Sequence, residues 1–240
     1  MSKQTAKIQS ERELELAERM MDITEIEPRM SMAAIFNTMR ILKAINPGDQ
    51  YYEAYLGMRK KYGERFFDTY QILWSIGIFM KPKRILEIGT RTGISLCQLL
   101  SAHEDLHAIE KIVCVDPFDQ WTSPNLVRAN LKYLNLPHTP EKVQILAIKS
   151  QDYFKDGMTD RYDFILVDGD HDKMVAGNDL EAMHALLEEG GVVVFDDIST
   201  APGECALIDV WEAFKMKHEG EYLFAEIMEG KGVAIGIKTK

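Results

Sequence analysis

Beyond Pro82 the chain stops repeating every three or four residues and begins to alternate short Val- and Ile-rich runs with amphipathic stretches. No other feature constrains its fold as much. RILEIG, KIVCVD, VQILAI, YDFILVD and GGVVVFDD have the length of strands and no polar face, the pattern of strands covered on both sides. Between the last two, Ala176, Leu180, Met183 and Leu187 form one helical stripe over Met174 to Glu188, ended by Gly190-Gly191. Strand and helix in repetition predict an α/β fold with a doubly wound, mostly parallel sheet. Only Glu229, Gly230 and Lys231 separate YLFAEIM from GVAIGIK. That is too short for a crossover helix, so the two should form an antiparallel hairpin at one sheet edge.

The first 80 residues read as helices. Leu14, Ala17 and Met21 share one face, Phe66, Tyr70, Leu73 and Gly77 another, and Pro28 and Asn46-Pro47-Gly48 divide the region. Without a Ser/Gly-rich linker before the sheet, this segment (1–80) is expected to pack against the second region (81–240).

With 240 residues, 46% of them hydrophobic, the chain can bury a full core. A net charge of −10 argues against a general nucleic-acid binder and favours a small-molecule substrate. Cys97, Cys114 and Cys205 form no CxxC pair, so neither a disulfide framework nor a thiolate zinc site is expected. No uncharged apolar run approaches the ~20 residues of a membrane span, and the N-terminus lacks the apolar core of a signal peptide. The expectation is a cytoplasmic protein with no membrane partner.

In open α/β sheets the ligand sits where strand ends meet the following loops. The first such loop is Glu87-Ile88-Gly89-Thr90-Arg91-Thr92-Gly93. Gly89 and Gly93 let the backbone turn tightly and approach a ligand, and Ser95 at the helix start can offer its hydroxyl and N–H to an anion. The dinucleotide pattern GxGxxG fails, because Arg91 stands at its second glycine. Asp116 ends the second strand, where an acid can accept from two ribose hydroxyls or merely form a turn before Pro117.

The fourth strand ends in Asp168-Gly169-Asp170-His171 and the fifth in Asp196-Asp197. If the two strands pair directly they lie ~4.8 Å apart. Carboxylates so close repel unless a cation compensates them, and an all-oxygen donor set suits Mg²⁺ or a similar hard ion. The alternative is that Asp168 serves a cofactor, Asp196 or Asp197 caps the next segment, and a lysine or arginine supplies the balance.

ILEIGTRTG followed by IVCVD resembles the first two motifs of the class I S-adenosylmethionine-dependent methyltransferases. The resemblance implies a seven-stranded sheet with the last pair reversed. It further implies that Gly89 and Gly93, with Thr90 and Arg91 in the same loop, line the methionine part of the cofactor. Glu87 and Ser95 would hold its amino and carboxylate ends, Asp116 its ribose, and Ser150 and Gln151 its adenine side. The segment YDFILVDGDHDKMVAGNDLEAMHALLEEGGVVVFDDI is similar to the divalent-metal-dependent O-methyltransferases of the catechol and cephalosporin-biosynthesis types. By that likeness Asp168, Asp196 and Asp197 would hold the metal, and His171 stands where catechol-type enzymes place a catalytic lysine. Its near-neutral pKa suits a general base.

The expected reaction is transfer of the sulfonium methyl group to a hydroxyl of a small molecule. The resemblance implies that the helices of residues 1–80 form a lid or a dimer contact; Tyr51, Tyr52, Tyr55, Phe66, Phe67 and Trp74 are candidates to line it or, for most, to pack in the core, and Phe118 and Trp121 to stack near the adenine or close the acceptor pocket. Rival readings are a metal-free N- or C-methyltransferase, a nucleotide-dependent oxidoreductase, and a protein that binds the cofactor without transferring its methyl group.

Overall fold

The computed structural model describes residues 3–25, 28–45, 48–62, 69–118, 122–155, 158–201 and 205–240. The expected change of period falls at Arg84. Among the described residues four helices precede it: α1 (Lys3–Thr24), α2 (Pro28–Ala44), α3 (Gly48–Tyr62) and α4 (Thr69–Phe79). Then follow β1 (Arg84–Ile88), α5 (Ile94–Ala102), β2 (Lys111–Asp116), α6 (Pro124–Tyr133), β3 (Val143–Ala147), α7 (Ser150–Phe154), β4 (Tyr162–Val167), α8 (Lys173–Leu186), β5 (Leu187–Asp196), α9 (Ile208–Lys217), β6 (Tyr222–Ile227) and β7 (Val233–Lys238).

The strands form one seven-stranded sheet in the order β3-β2-β1-β4-β5-β7-β6. The pairs among β1 to β5 are parallel, and β7 runs antiparallel to both β5 and β6. The edge hairpin is therefore as expected, and it brings Val233 opposite Asp196.

Successive strand residues point to opposite faces. Ile85, Ile112, Cys114, Phe164, Leu166, Val192 and Val194 join one buried cluster, and Leu86, Val113, Val115, Ile165, Val167, Val193 and Phe195 the other. Each such side chain, fully buried, contributes about 1.5–3 kcal/mol. Leu16, Met20, Ile23, Ile41, Leu42 and Ile76 belong to the first cluster, so the N-terminal helices share the core of the sheet. Gly77 shows how tightly: a Cβ there would meet the Leu99 carbonyl oxygen at 2.5 Å, so α4 lies on α5 only because position 77 has no side chain.

Two sequence readings need correction. The buried face of α1 is Leu16, Met20 and Ile23, whereas Leu14 and Met21 are exposed. Both stripes satisfy helical spacing, and packing under α4 selects the one with the larger buried side chains. The helix expected to reach Glu188 ends at Leu186, and Leu187 and Gly190-Gly191 lie within β5. Leu187 pairs with Tyr162, and the register shifts before Phe164 meets Val192, so the ladder absorbs the glycines as an irregularity in the strand.

Candidate active site

The carboxyl ends of β1, β2 and β4 and the start of α7 enclose a cleft of about 400 Å³, lined by Gly89, Arg91, Asp116, Ser150, Gln151, Asp168 and His171 among others. Seven expected site residues thus meet at one place. Glu87, Thr90, Gly93 and Ser95 are not among its lining residues; Glu87 lies in β1 itself, and Ser95 is half-buried in the first turn of α5.

The glycine loop is held by its backbone. Gly89 donates to the Val115 carbonyl at 2.9 Å and Gly93 to the Thr90 carbonyl at 2.7 Å. Gly89 has φ +89°, and a Cβ would fall 1.7 Å from the Asp168 carbonyl oxygen, so only glycine lets the ends of β1 and β4 approach this closely. Gly93, at φ +78°, precedes α5.

Arg91 also has a left-handed backbone, φ +49°. Its N–H donates to Asp116 Oδ2 at 2.8 Å, and Phe118 N–H donates to Oδ1 at 2.7 Å. Asp116 therefore orders the loop while both its oxygens keep a lone pair for a ligand. Phe118 is half-buried against the core; Trp121, Phe66 and Phe67 lie outside the described residues.

Glu87 is the least expected residue by packing. It occupies the central strand, opposite Cys114 and Leu166, and is 2% exposed. Burial pushes its carboxyl up to about 8, opposed by the Thr90 hydroxyl and reinforced by Asp168 and Asp116. Its Oε2 has no hydrogen-bond partner. A buried acceptor left so costs about 1–3 kcal/mol, and a charged one more.

Ser150 begins α7 at the cleft wall. Behind it Asp179 of α8 is buried, which raises its carboxyl to about 6 against the Ser150 hydroxyl. Sequence reasoning missed Asp179, which is indistinguishable in the sequence from the other acids of that helix.

The DGDHD turn divides its labour. Asp172 caps α8 by accepting from Met174 and Val175 N–H, Asp170 accepts from Asp172 N–H, and Asp168 and His171 face the cleft. Oxygens of Asp168, Asp196 and Asp197 come within 4.8 Å of one another. Burial raises the carboxyls of Asp168 and Asp196, in Asp168 with help from the charge of Asp196. Asp197 goes the other way: its own burial is outweighed by hydrogen bonds from His171 and Lys231. Thr69, the first residue of α4, donates its hydroxyl to Asp196 Oδ1 and so ties the N-terminal helices to this centre.

His171 Nε2 lies 2.9 Å from Asp197 Oδ2, and its Nδ1 lies 3.2 Å from Cys205 Sγ. The hydrogen bond to Asp197 raises the imidazole pKa. Lys231 Nζ lies 2.8 Å from Asp197 Oδ1 and 3.7 Å from Asp196 Oδ2. Lys231, Cys205 and Thr69 were not foreseen individually. For Lys231 a signal existed, since an antiparallel β7 beside β5 must carry the residues before Val233 past the acids that end β5.

Residues 86–198 match the sequence model of a family described as a methyltransferase domain. No curated protein matches the chain in sequence. Among solved structures, a putative O-methyltransferase from Klebsiella pneumoniae superimposes with TM-score 0.55 at 16% identity, over 71% of this chain and 80% of that one. The Streptomyces achromogenes O-methyltransferase of tomaymycin synthesis, solved with S-adenosylmethionine, gives 0.54 at 17% identity, over 76% and 86%. An O-methyltransferase from Bacillus cereus in complex with S-adenosylhomocysteine gives 0.54 at 14% identity, over 91% and 94%. The stretch that matches the methyltransferase domain is the one running from β1 through the acids after β5, and the fold around it is shared with these O-methyltransferases.

Proposed function

We propose that this chain is an S-adenosylmethionine-dependent O-methyltransferase that methylates a hydroxyl of a small molecule, with His171 as general base and a divalent metal at Asp168, Asp196 and Asp197. The observation that carries the proposal is Glu87. A buried carboxyl with an unpartnered oxygen, beneath a glycine loop pinned to Asp116, calls for a ligand bearing both a cation and hydroxyls. The amino group and ribose of S-adenosylmethionine have that chemistry, and two of the similar structures were solved with that cofactor or its product.

Three carboxylates with converging oxygens also suit a hard divalent ion such as Mg²⁺ in donor type. When bound, the cofactor supplies an electrophilic methyl group, and the metal lowers the pKa of a hydroxyl. The protein's residues do the rest. Asp116 and Ser150 orient the cofactor, and Gly89 permits its close approach. With Nε2–H given to Asp197, the lone pair of His171 is on Nδ1, so that atom takes the acceptor's proton and Asp197 stabilises the imidazolium that forms. The Cys205 thiol, now the partner of Nδ1, must yield its place to the acceptor hydroxyl.

In this reading residues 1–80 contribute a lid or dimer contact and choose the acceptor, with Thr69 as their link to the acids. The protein works in the cytoplasm without a nucleic-acid or membrane partner; no helix among the described residues is long and apolar enough to cross a membrane.

Transfer of labelled methyl from S-adenosylmethionine to catechol, sugar and polyketide hydroxyls, with and without chelator, tests the proposal. Label on oxygen that depends on Mg²⁺ supports it in full. Chelator-insensitive turnover would leave the metal-free reading, which the position of Lys231 favours. Tight cofactor binding with no product from any acceptor would point to a binding protein.

A further inference from the structure

We propose that Lys231 is a tethered counter-ion that occupies the place of the divalent metal, so that a metal enters the acidic centre only by displacing its ammonium group. The inference rests on the reading of Asp168, Asp196 and Asp197 as metal ligands and adds to it the residue that controls their occupancy.

The placement of Lys231 is built into the sheet. Because β7 pairs antiparallel with β5 and Val233 stands opposite Asp196, the residues just before Val233 run alongside those just after Asp196. Two backbone bonds extend the ladder there: Ile198 N–H donates to the Gly232 carbonyl at 3.2 Å, and Ser199 N–H to the Lys231 carbonyl at 2.8 Å. Gly232 has φ +77°, and a Cβ on it would lie 2.5 Å from the Ser199 nitrogen, so the close approach needs glycine. The backbone of Lys231 is thus held beside the acids, and a flexible four-carbon stem carries its ammonium to them.

That side chain reaches in. Its Nζ is 2.8 Å from Asp197 Oδ1 and 3.7 Å from Asp196 Oδ2, on side chains 1% and 7% exposed. An ammonium 2.8 Å from Asp197 Oδ1 repels a divalent ion brought to the same three carboxylates, so the two cations compete for the centre. The lysine side chain is itself 41% exposed, which gives the ammonium a path to water when it leaves. A lysine is suited to the task where an arginine is not: it is a compact charge on a flexible stem and makes no bidentate fork with a carboxylate.

The remaining charges fit the same account. One ammonium does not neutralise three carboxylates whose oxygens lie within 4.8 Å of one another. A doubly charged ion compensates them better, and its entry sends the lysine out.

Titration of Mn²⁺ alone, followed by the loss of its free-ion electron paramagnetic resonance signal, tests the proposal on the purified full chain. Lys231→Met is expected to bind Mn²⁺ at least tenfold more tightly than wild type. Lys231→Arg should bind no more tightly than wild type, and the gain should vanish in the Lys231→Met, Asp168→Ala double variant. In EDTA, Lys231→Met should melt below wild type, and Mn²⁺ should restore it. Lys231→Gln serves as the second variant if Lys231→Met does not fold. Equal or weaker Mn²⁺ binding by the neutral variants, or binding by no form of the protein, overturns the proposal. Binding of S-adenosylhomocysteine is measured on the same samples: its absence from wild type sinks the methyltransferase reading, whereas the Mn²⁺ comparison judges Lys231 independently.

Discussion

Glu87→Gln should stabilise the free protein and weaken its grip on the cofactor. Burial lifts the folded carboxyl from an ordinary 4.5 to about 8. A raised folded pKa means that the native state holds its proton more tightly than the unfolded one, so stability is complete below about 4.5 and declines as pH rises to about 8. At the top of that window the loss is on the order of 4 kcal/mol. Glutamine keeps the shape and cannot ionise, but it buries an amide at a cost of about 1–2 kcal/mol. The net gain near pH 8 is then about 2 kcal/mol, or about 4–8 °C in melting temperature for a chain of this size. At pH 5 the advantage should vanish. Differential scanning calorimetry at the two pH values measures it. A variant that melts below wild type at pH 8, or by the same offset at both pH values, refutes the reasoning. The same linkage requires wild type to release close to one proton when a cationic amino group pairs with Glu87 near pH 7. Calorimetric titrations with S-adenosylhomocysteine in buffers of different ionisation enthalpy count that proton, and Glu87→Gln should release none.

Gly89→Ala forces a Cβ into the Asp168 carbonyl and strains a left-handed backbone, so it should cost above about 3 kcal/mol and lower the melting temperature by about 6 °C or more. Trp211→Ala empties a fully buried site beside Phe195 and Phe214 and removes the indole donor to Glu226, for about 3–5 kcal/mol by denaturant melts. His171→Ala should lower kcat about 10²- to 10⁴-fold with affinity for S-adenosylhomocysteine nearly kept, as steady-state rates and calorimetry would show. Asp168→Ala should abolish any stimulation of turnover by Mg²⁺, measured across a metal titration.

The sheet and the cleft were legible because their signals are local. Continuous apolar runs alternating with amphipathic helices and a three-residue gap between the last strands specify a parallel sheet with a reversed edge, and Gly89, Asp116 and Asp168 follow as the residues at its strand ends. What escaped the sequence depends on tertiary choice. Leu14 and Met21 satisfy helical spacing as well as Leu16, Met20 and Ile23 do, and only the face of α4 decides between them. Leu187 continues the stripe of α8, yet its pairing with Tyr162 draws it into β5. Thr69 reaches Asp196 across 127 residues and Cys205 reaches His171 across 34, and no local pattern marks either. Arg91, which broke the dinucleotide pattern, supplies a left-handed backbone and an N–H to Asp116.

Calorimetric titration of the wild-type chain with S-adenosylhomocysteine, and separately with NAD, shows which cofactor the cleft accepts. One-site binding of S-adenosylhomocysteine, sharply weakened in Asp116→Ala, and no binding of NAD are expected. Binding of NAD with none of S-adenosylhomocysteine, or cofactor binding indifferent to Asp116, would contradict the methyltransferase reading.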